Sequence, residues 1–205
     1  MERNQLLDWA VELQSLAQAG LFYGKDVYDI ERFQRIREIS AEMVSQLSDV
    51  PLDKVTSIFC CEGGYQTPKL DSRAAIFQGD KILLVQESTG LWAMPGGWVD
   101  VNLSIGENTV KEAREEAGLE VRVDRVIAVQ DRKRHNHPLY AYQICKIFLQ
   151  CTPLGGQFQP NSETLQSGYF SLEELPPLSE DKCTREQIQL CFQAYRSPHW
   201  ETVVD

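Results

Sequence analysis

The chain has 205 residues, 42% hydrophobic and 24% charged, a composition that suits a globular protein with a real core and excludes a disordered or fibrous chain. Its formal charge of -10 argues against broad electrostatic binding to nucleic acid or an anionic membrane, but leaves nucleotides open, because a bound divalent cation inverts the local sign. Six cysteines without C-x-x-C spacing read as reduced thiols, no stretch approaches transmembrane length and no basic-then-apolar leader is present, so a cytoplasmic protein is expected.

Residues from Asn4 to about Ala19 place Leu6, Trp9, Leu13, Leu16 and Ala17 at helical spacing, with Gly20 closing the segment. Asp29 is expected to cap a second helix whose apolar face is Phe33, Ile36, Ile39, Met43 and Leu47. Asp49, just ahead of Pro51, is expected to start a short third helix through Ile58 and Phe59. Such a helical piece has too little interior to stand alone, so the rest of the chain or a second copy must cover its apolar face. Gly63 to Pro68 reads as a linker, which gives a helical N-terminal domain over 1–66 and a second domain over 67–205.

From Leu70 the pattern changes to strands. Ala74 to Phe77, a turn at Gln78-Gly79-Asp80-Lys81, and Ile82 to Val85 predict a β-hairpin. Arg73 opens it, as a surface arginine or as a bidentate phosphate contact. Trp92 and Trp98 flank Met94-Pro95-Gly96-Gly97, where the glycines allow the backbone to approach a ligand or metal. Either tryptophan suits base stacking or burial of the loop.

Ser104 with Glu107 is a capping-box signature, and Gly118 suits a left-handed cap, so a helix is predicted from about Ile105 to Ala117. On it, Glu112 lies one turn before both Glu115 and Glu116, so their carboxylates can converge. Three such acids are either a solvated acidic face or ligands for a hard cation such as Mg²⁺ or Mn²⁺.

Val121 to Val123 and Arg125 to Gln130 read as strands, and Leu139 to Cys151 as a longer one. Between them, His135 and His137 lack the partner cluster a zinc site needs and read as a polar turn. Arg132-Lys133-Arg134 offers positive charge to substrate phosphates, against the default of a solvated turn. A loop over Gly155 to Thr164 contains Glu163. Gly168 to Ser171 reads as the last strand, and Thr184 with Gln187 caps a final helix bearing Ile188, Cys191, Phe192 and Tyr195.

Gly97 together with Lys111-Glu112-Ala113-Arg114-Glu115-Glu116-Ala117-Gly118-Leu119 resembles the Nudix box, G-x5-E-x7-R-E-U-x-E-E-x-G-U with U aliphatic. Leu103 stands at the first glutamate of the pattern, Lys111 at its arginine, and Ala113 at a larger aliphatic residue. In the family the first two positions pair and brace the loop against the helix. Here Glu107, four residues before Lys111, is expected to take over part of that brace.

The resemblance implies an α/β class protein, a Nudix α/β/α sandwich with a mixed sheet preceded by a small all-α N-terminal domain. It implies Mg²⁺ or Mn²⁺ held by Glu112, Glu115 and Glu116 with the Gly96 backbone. Glu163, in Asn161-Ser162-Glu163-Thr164, resembles a loop glutamate that activates water or binds a further metal. Arg73, Trp98, Asp100 and Arg132 are the candidate substrate contacts. Tyr28 to Phe33 resembles the helical extension of a bacterial subgroup that cleaves X-linked nucleoside diphosphates such as CDP-choline or ADP-ribose. The expected partners are therefore a small nucleotide substrate and a second copy of the chain, without membrane or nucleic acid. A non-catalytic nucleotide-sensing module and an enzyme acting on RNA ends are the alternatives.

Overall fold

The computed structural model describes residues 3–138 and 140–205, with the side chains of Arg3 and Asn4 left out. The start expected at Leu139 for a long strand lies outside the described residues. Two compact units emerge. One holds the residues up to Pro68 together with Tyr140–Tyr142, and the other holds the rest of the chain.

The first unit is three helices, α1 (Arg3–Tyr23), α2 (Val27–Ser48) and α3 (Leu52–Phe59). Gly20 does not end α1, which continues for three residues. A Cβ at Gly20 would stand 2.4 Å from Phe33 Cγ, so this glycine is a packing surface for α2. Asp26, not Asp29, caps α2 by accepting from the Tyr28 and Asp29 amides. Asp49 closes α2 in the left-handed conformation (φ 58), and α3 instead follows an N-cap at Pro51. The core is Ala10, Ala41, Val44, Val55 and Phe59, with Gln14 and Gln18 also buried. The buried stripe of α1 is thus rotated from the one predicted, and Trp9 and Leu16 stay 42% and 58% exposed.

The second unit runs β1 (Lys69–Gln78), β2 (Lys81–Glu87), β3 (Trp92–Ala93), β4 (Gly96–Trp98), α4 (Ile105–Ala117), β5 (Leu119–Asp131), α5 (Arg132–His135), β6 (Ile144–Gly156), β7 (Thr164–Phe170), α6 (Arg185–Arg196) and β8 (Val203–Val204). Strand order is β3-β2-β1-β6-β5-β8, with β4 also on β1 and β7 also on β2. The β1–β6 and β5–β8 pairs are parallel and the others antiparallel, so the sheet is mixed.

Alternation along β1 divides the two core layers. Ala74 and Ile76 face α4, where Ala113 and Ala117 join Leu83, Val85, Ile147 and Leu149. Ala75 and Phe77 face α6, where Ile188, Cys191 and Phe192 pack with Ile82, Leu84 and Phe148. The expected α/β/α sandwich is therefore the observed one. β5 is one strand with bulges where two strands were predicted, and β8 was not foreseen. All six cysteines are free thiols. Among the described residues, no helix is long and apolar enough to cross a membrane.

Candidate active site

The box helix α4 begins as its sequence dictates. Ser104 Oγ accepts from the Glu107 amide at 3.2 Å, and Glu107 Oε2 accepts from the Ser104 amide at 2.8 Å. That capping role turns the Glu107 carboxylate to the helix start, and the expected Glu107–Lys111 brace gives way to other partners. Lys111 Nζ sits instead 3.2 Å from Asp100 Oδ2, 3.3 Å from Glu112 Oε1 and 3.2 Å from Glu115 Oε2. The Glu115 contact, followed by those to Asp100 and Glu112, raises the lysine's pKa above its ordinary value. Asp100, expected at the substrate, is thus an ion-pair partner of the box helix.

The glycine turn meets this helix through one hydrogen bond. The Gly96 amide donates to Glu116 Oε2 at 2.8 Å. Gly96 has φ +144, and a Cβ there would lie 1.9 Å from the Ser72 carbonyl oxygen, so no other residue fits this pairing with β1. At Gly97 a Cβ would stand 3.4 Å from Glu112 Oε2, so the second glycine leaves the carboxylate uncovered.

Glu112 and Glu116 are each 8% exposed, whereas Glu115 is exposed. Burial pushes the Glu116 carboxyl up to about 7, against the Gly96 amide and the Arg73 charge, which favour its ionised form. Burial also raises Glu112, against the neighbouring Lys111 charge.

Asn108, which the motif does not single out, ties the helix in place. Its Nδ2 donates to Ser72 Oγ at 3.1 Å and its Oδ1 accepts from the Asp100 amide at 3.1 Å. An asparagine inside a helix, one turn before Glu112, was the available signal, since this residue favours caps and turns unless its amide has fixed partners.

Arg73 is not a surface phosphate contact. It is 4% exposed, and its Nε and Nη2 form a fork on Asp71 at 2.9 and 2.7 Å. Lys146 Nζ meets the same carboxylate at 2.9 Å. Arg132 likewise turns inward. It is 3% exposed, with Nε on the Asp181 carbonyl at 3.2 Å and Nη1 on the Pro138 carbonyl at 2.7 Å, so it is not the surface phosphate contact expected. Trp92 is core, edge-on to Phe170, while Trp98 remains 46% exposed.

The loop bearing Glu163 is fastened to the end of α4. Asn161 Nδ2 donates to the Glu115 carbonyl, Thr164 Oγ1 to the Glu116 carbonyl, and Asn161 Oδ1 accepts from the Glu163 and Thr164 amides. A Cβ on Gly118 (φ +67) would lie 2.4 Å from the Gln157 oxygen, so the helix cap also makes room for this loop. Glu163 itself is exposed.

The donor set fits a hard divalent cation. Two buried carboxylates lie beside a main-chain turn free of side chains, and their burial, which raises both pKa values, is the cost a bound cation would offset. Among the described residues, no three His, Cys, Asp or Glu side chains already converge on one point. Lys111 stands among the carboxylates and must give way for a cation to join Glu112 and Glu115 together.

Comparison with known proteins places this geometry. A sequence profile described as the NUDIX domain matches residues 68–191, and one described as a UDP-X-like N-terminal oligomerisation domain matches residues 4–59. The Bacillus subtilis (strain 168) protein named "Putative ADP-ribose pyrophosphatase YjhB" is 40% identical over 99% of this chain and 98% of its own length. The crystal structure of an ADP-ribose pyrophosphatase from Streptococcus suis 89-1591 matches at 57% identity, covering 68% of this chain and 100% of that one, with a TM-score of 0.64. That of a UDP-X diphosphatase matches at 34% identity over 99% of this chain and 100% of that one, also with a TM-score of 0.64. With the box helix, the glycine turn and matches along both units, the chain belongs to the Nudix hydrolase family.

Proposed function

We propose that this Nudix hydrolase cleaves the diphosphate of nucleoside diphosphates joined to another group, with ADP-ribose and CDP-choline as representatives, giving a nucleoside monophosphate and a phosphorylated remainder. The observation that carries the reading is the pair of buried carboxylates, Glu112 and Glu116, set against the Gly96–Gly97 turn. The likeness to an ADP-ribose pyrophosphatase and, along nearly the whole chain, to a UDP-X diphosphatase supports the substrate class.

Bound Mg²⁺ or Mn²⁺ would offset the diphosphate charge and lower the pKa of a water that attacks phosphorus. Glu112 and Glu116 would hold the cation from α4, with Glu115 joining them once Lys111 swings away. The Gly96 amide holds Glu116 Oε2, so the other carboxylate oxygen would be the one available to a cation. Glu163, carried on the loop that Asn161 fastens, or a helix carboxylate without a cation on it, accepts the proton of the attacking water. The exposed indole of Trp98 offers a stacking face to the base. The helical unit is the dimerisation element in this reading: Trp9, Leu16, Phe22, Tyr23, Val27 and Tyr28 are apolar side chains left exposed for a second copy to cover.

The test is turnover of ADP-ribose, CDP-choline, a dinucleoside polyphosphate and a nucleoside triphosphate, each with Mg²⁺ and with Mn²⁺. Cleavage inside the diphosphate of the first two, ahead of the others, is the expected result. Preference for the triphosphate, or metal binding without turnover of any member, overturns the assignment.

A further inference from the structure

Three ionised side chains lie buried behind the glycine turn, on the sheet face opposite α4. Asp71, Arg73 and Lys146 are 5%, 4% and 1% exposed. Charges removed from water this far are tolerated only where pairing is close to complete, and apolar residues of similar size commonly serve stability as well or better. The arrangement therefore calls for a reason other than stability.

Its geometry supplies one. Asp71 holds two nitrogens of the Arg73 guanidinium and the Lys146 ammonium, which leaves Arg73 Nη1 to donate to the Met94 carbonyl at 3.3 Å. The neighbouring Ala74 amide donates to the Pro95 carbonyl at 2.8 Å, and Arg73 lies opposite Gly96 in the β1–β4 register. Arg73 thus fixes the carbonyl two residues before the amide that grips Glu116. From the other side of the sheet, α4 offers no brace between Leu103 and Lys111, since Lys111 is engaged with Asp100, Glu112 and Glu115.

We infer that Asp71, Arg73 and Lys146 are positioning residues that set the Met94–Gly96 turn, so that the Gly96 N–H aims Glu116 at the metal. The inference rests on the reading of Glu116 as a metal ligand. It separates from two plainer accounts by sign. If Arg73 acted only through its charge, removing it would tighten binding of a cation nearby. If it served only stability, removing it would lower the melting temperature and leave metal affinity unchanged.

The experiment measures Mn²⁺ binding by electron paramagnetic resonance, with Gly96 amide exchange and steady-state kinetics on ADP-ribose, in the full-length protein. Arg73→Met leaves Asp71 and Lys146 as a balanced pair. We expect about tenfold or more weaker Mn²⁺ binding, a comparable fall in kcat with little change in KM, and faster exchange at Gly96. Arg73→Lys, which keeps the charge without the fork, should behave like Arg73→Met. Lys146→Met, which keeps the Asp71–Arg73 fork, should shift all readouts the same way by a smaller factor, and carries the test if Arg73→Met does not fold. Tighter or unchanged Mn²⁺ binding in Arg73→Met, or in Lys146→Met when it stands in, overturns the inference, as does wild-type behaviour of Arg73→Lys. Equal Mn²⁺ binding by wild type and Glu116→Gln would instead remove the metal-ligand reading, and the Gly96 exchange rates would still decide whether the triad holds the turn.

Discussion

Glu116 stores a pH dependence in the metal-free protein. Its carboxyl is raised from 4.5 to about 7, so the folded state favours the protonated form. The corresponding stabilisation is fully present below about pH 4.5 and is lost as pH rises through about 7, an amount on the order of 3 kcal/mol. Urea unfolding in chelator should therefore show stability falling across that interval. Glu116→Gln should flatten the slope, keep the fold and lose nearly all turnover, and saturating Mn²⁺ should restore wild-type stability at about pH 8. A slope unchanged in Glu116→Gln would assign the effect to another group. Gly96→Ala faces both the 1.9 Å approach to the Ser72 oxygen and a left-handed φ, and should cost about 3 kcal/mol or more together with the Glu116 contact, as read by denaturant midpoint and Mn²⁺ affinity. That Glu112 and Glu116 share one buried face of α4 was legible from helical spacing alone, whereas Glu115 is exposed and held by Lys111. The roles of Arg73 and Lys111 were not, because one depends on Lys146, 75 residues beyond Asp71, and the other on Asp100, which the turn before α4 brings beside the helix.

Among the elements, α4 is the most completely written in its own sequence: capping box at Ser104 and Glu107, small stripe at Ala113 and Ala117, left-handed cap at Gly118. Ser104→Ala should cost about 1 kcal/mol, a fall of roughly 2–4 °C in melting temperature, while KM for ADP-ribose holds, because the cap lies at the far end of the helix from Glu116. A large change in KM would show that the cap also sets the loop over 99–103. The final helix was equally readable from Thr184 and Gln187, which form a second capping box. Strands were read less well, for physical reasons. β5 keeps pairing with β6 across bulges at Glu120/Val121, Val123/Arg125 and Val126/Ala128, which break the alternation a strand needs to be seen as one. β8 is two residues held along β5 by strand pairing and by Trp200 and Thr202, which donate to the Ile127 and Val126 carbonyls, so its extension depends on partners 73 to 76 residues away. In the helical unit, the buried face of α1 uses Ala10, Gln14, Ala17 and Gln18, so close approach of helices outranked side-chain hydrophobicity, and the larger Trp9 and Leu16 remained outside.

At the scale of the whole chain, a helical unit with little interior accompanies an α/β/α sandwich that carries Glu112, Glu116 and the glycine turn. The apolar surface left on Trp9, Leu16, Phe22, Tyr23, Val27 and Tyr28 leads us to expect a dimer in sedimentation equilibrium, with Trp9→Glu or Leu16→Glu shifting it toward monomer; a wild-type monomer would refute this. On the proposed function, a net charge of -10 would be compatible with an anionic substrate if the positive charge at the site were local, from a bound cation rather than from the surface as a whole. The small excursion Tyr140–Tyr142, which belongs to the helical unit although it is flanked on both sides by the sandwich, bears on how such a chain is assembled in evolution. Ala141 packs with the core of Ala10, Ala41, Val44, Val55 and Phe59. A single recombination breakpoint near Pro68 would transplant three helices but leave that segment behind. A recipient with a different turn there would therefore receive the helices without the Ala141 contact that adjoins their core.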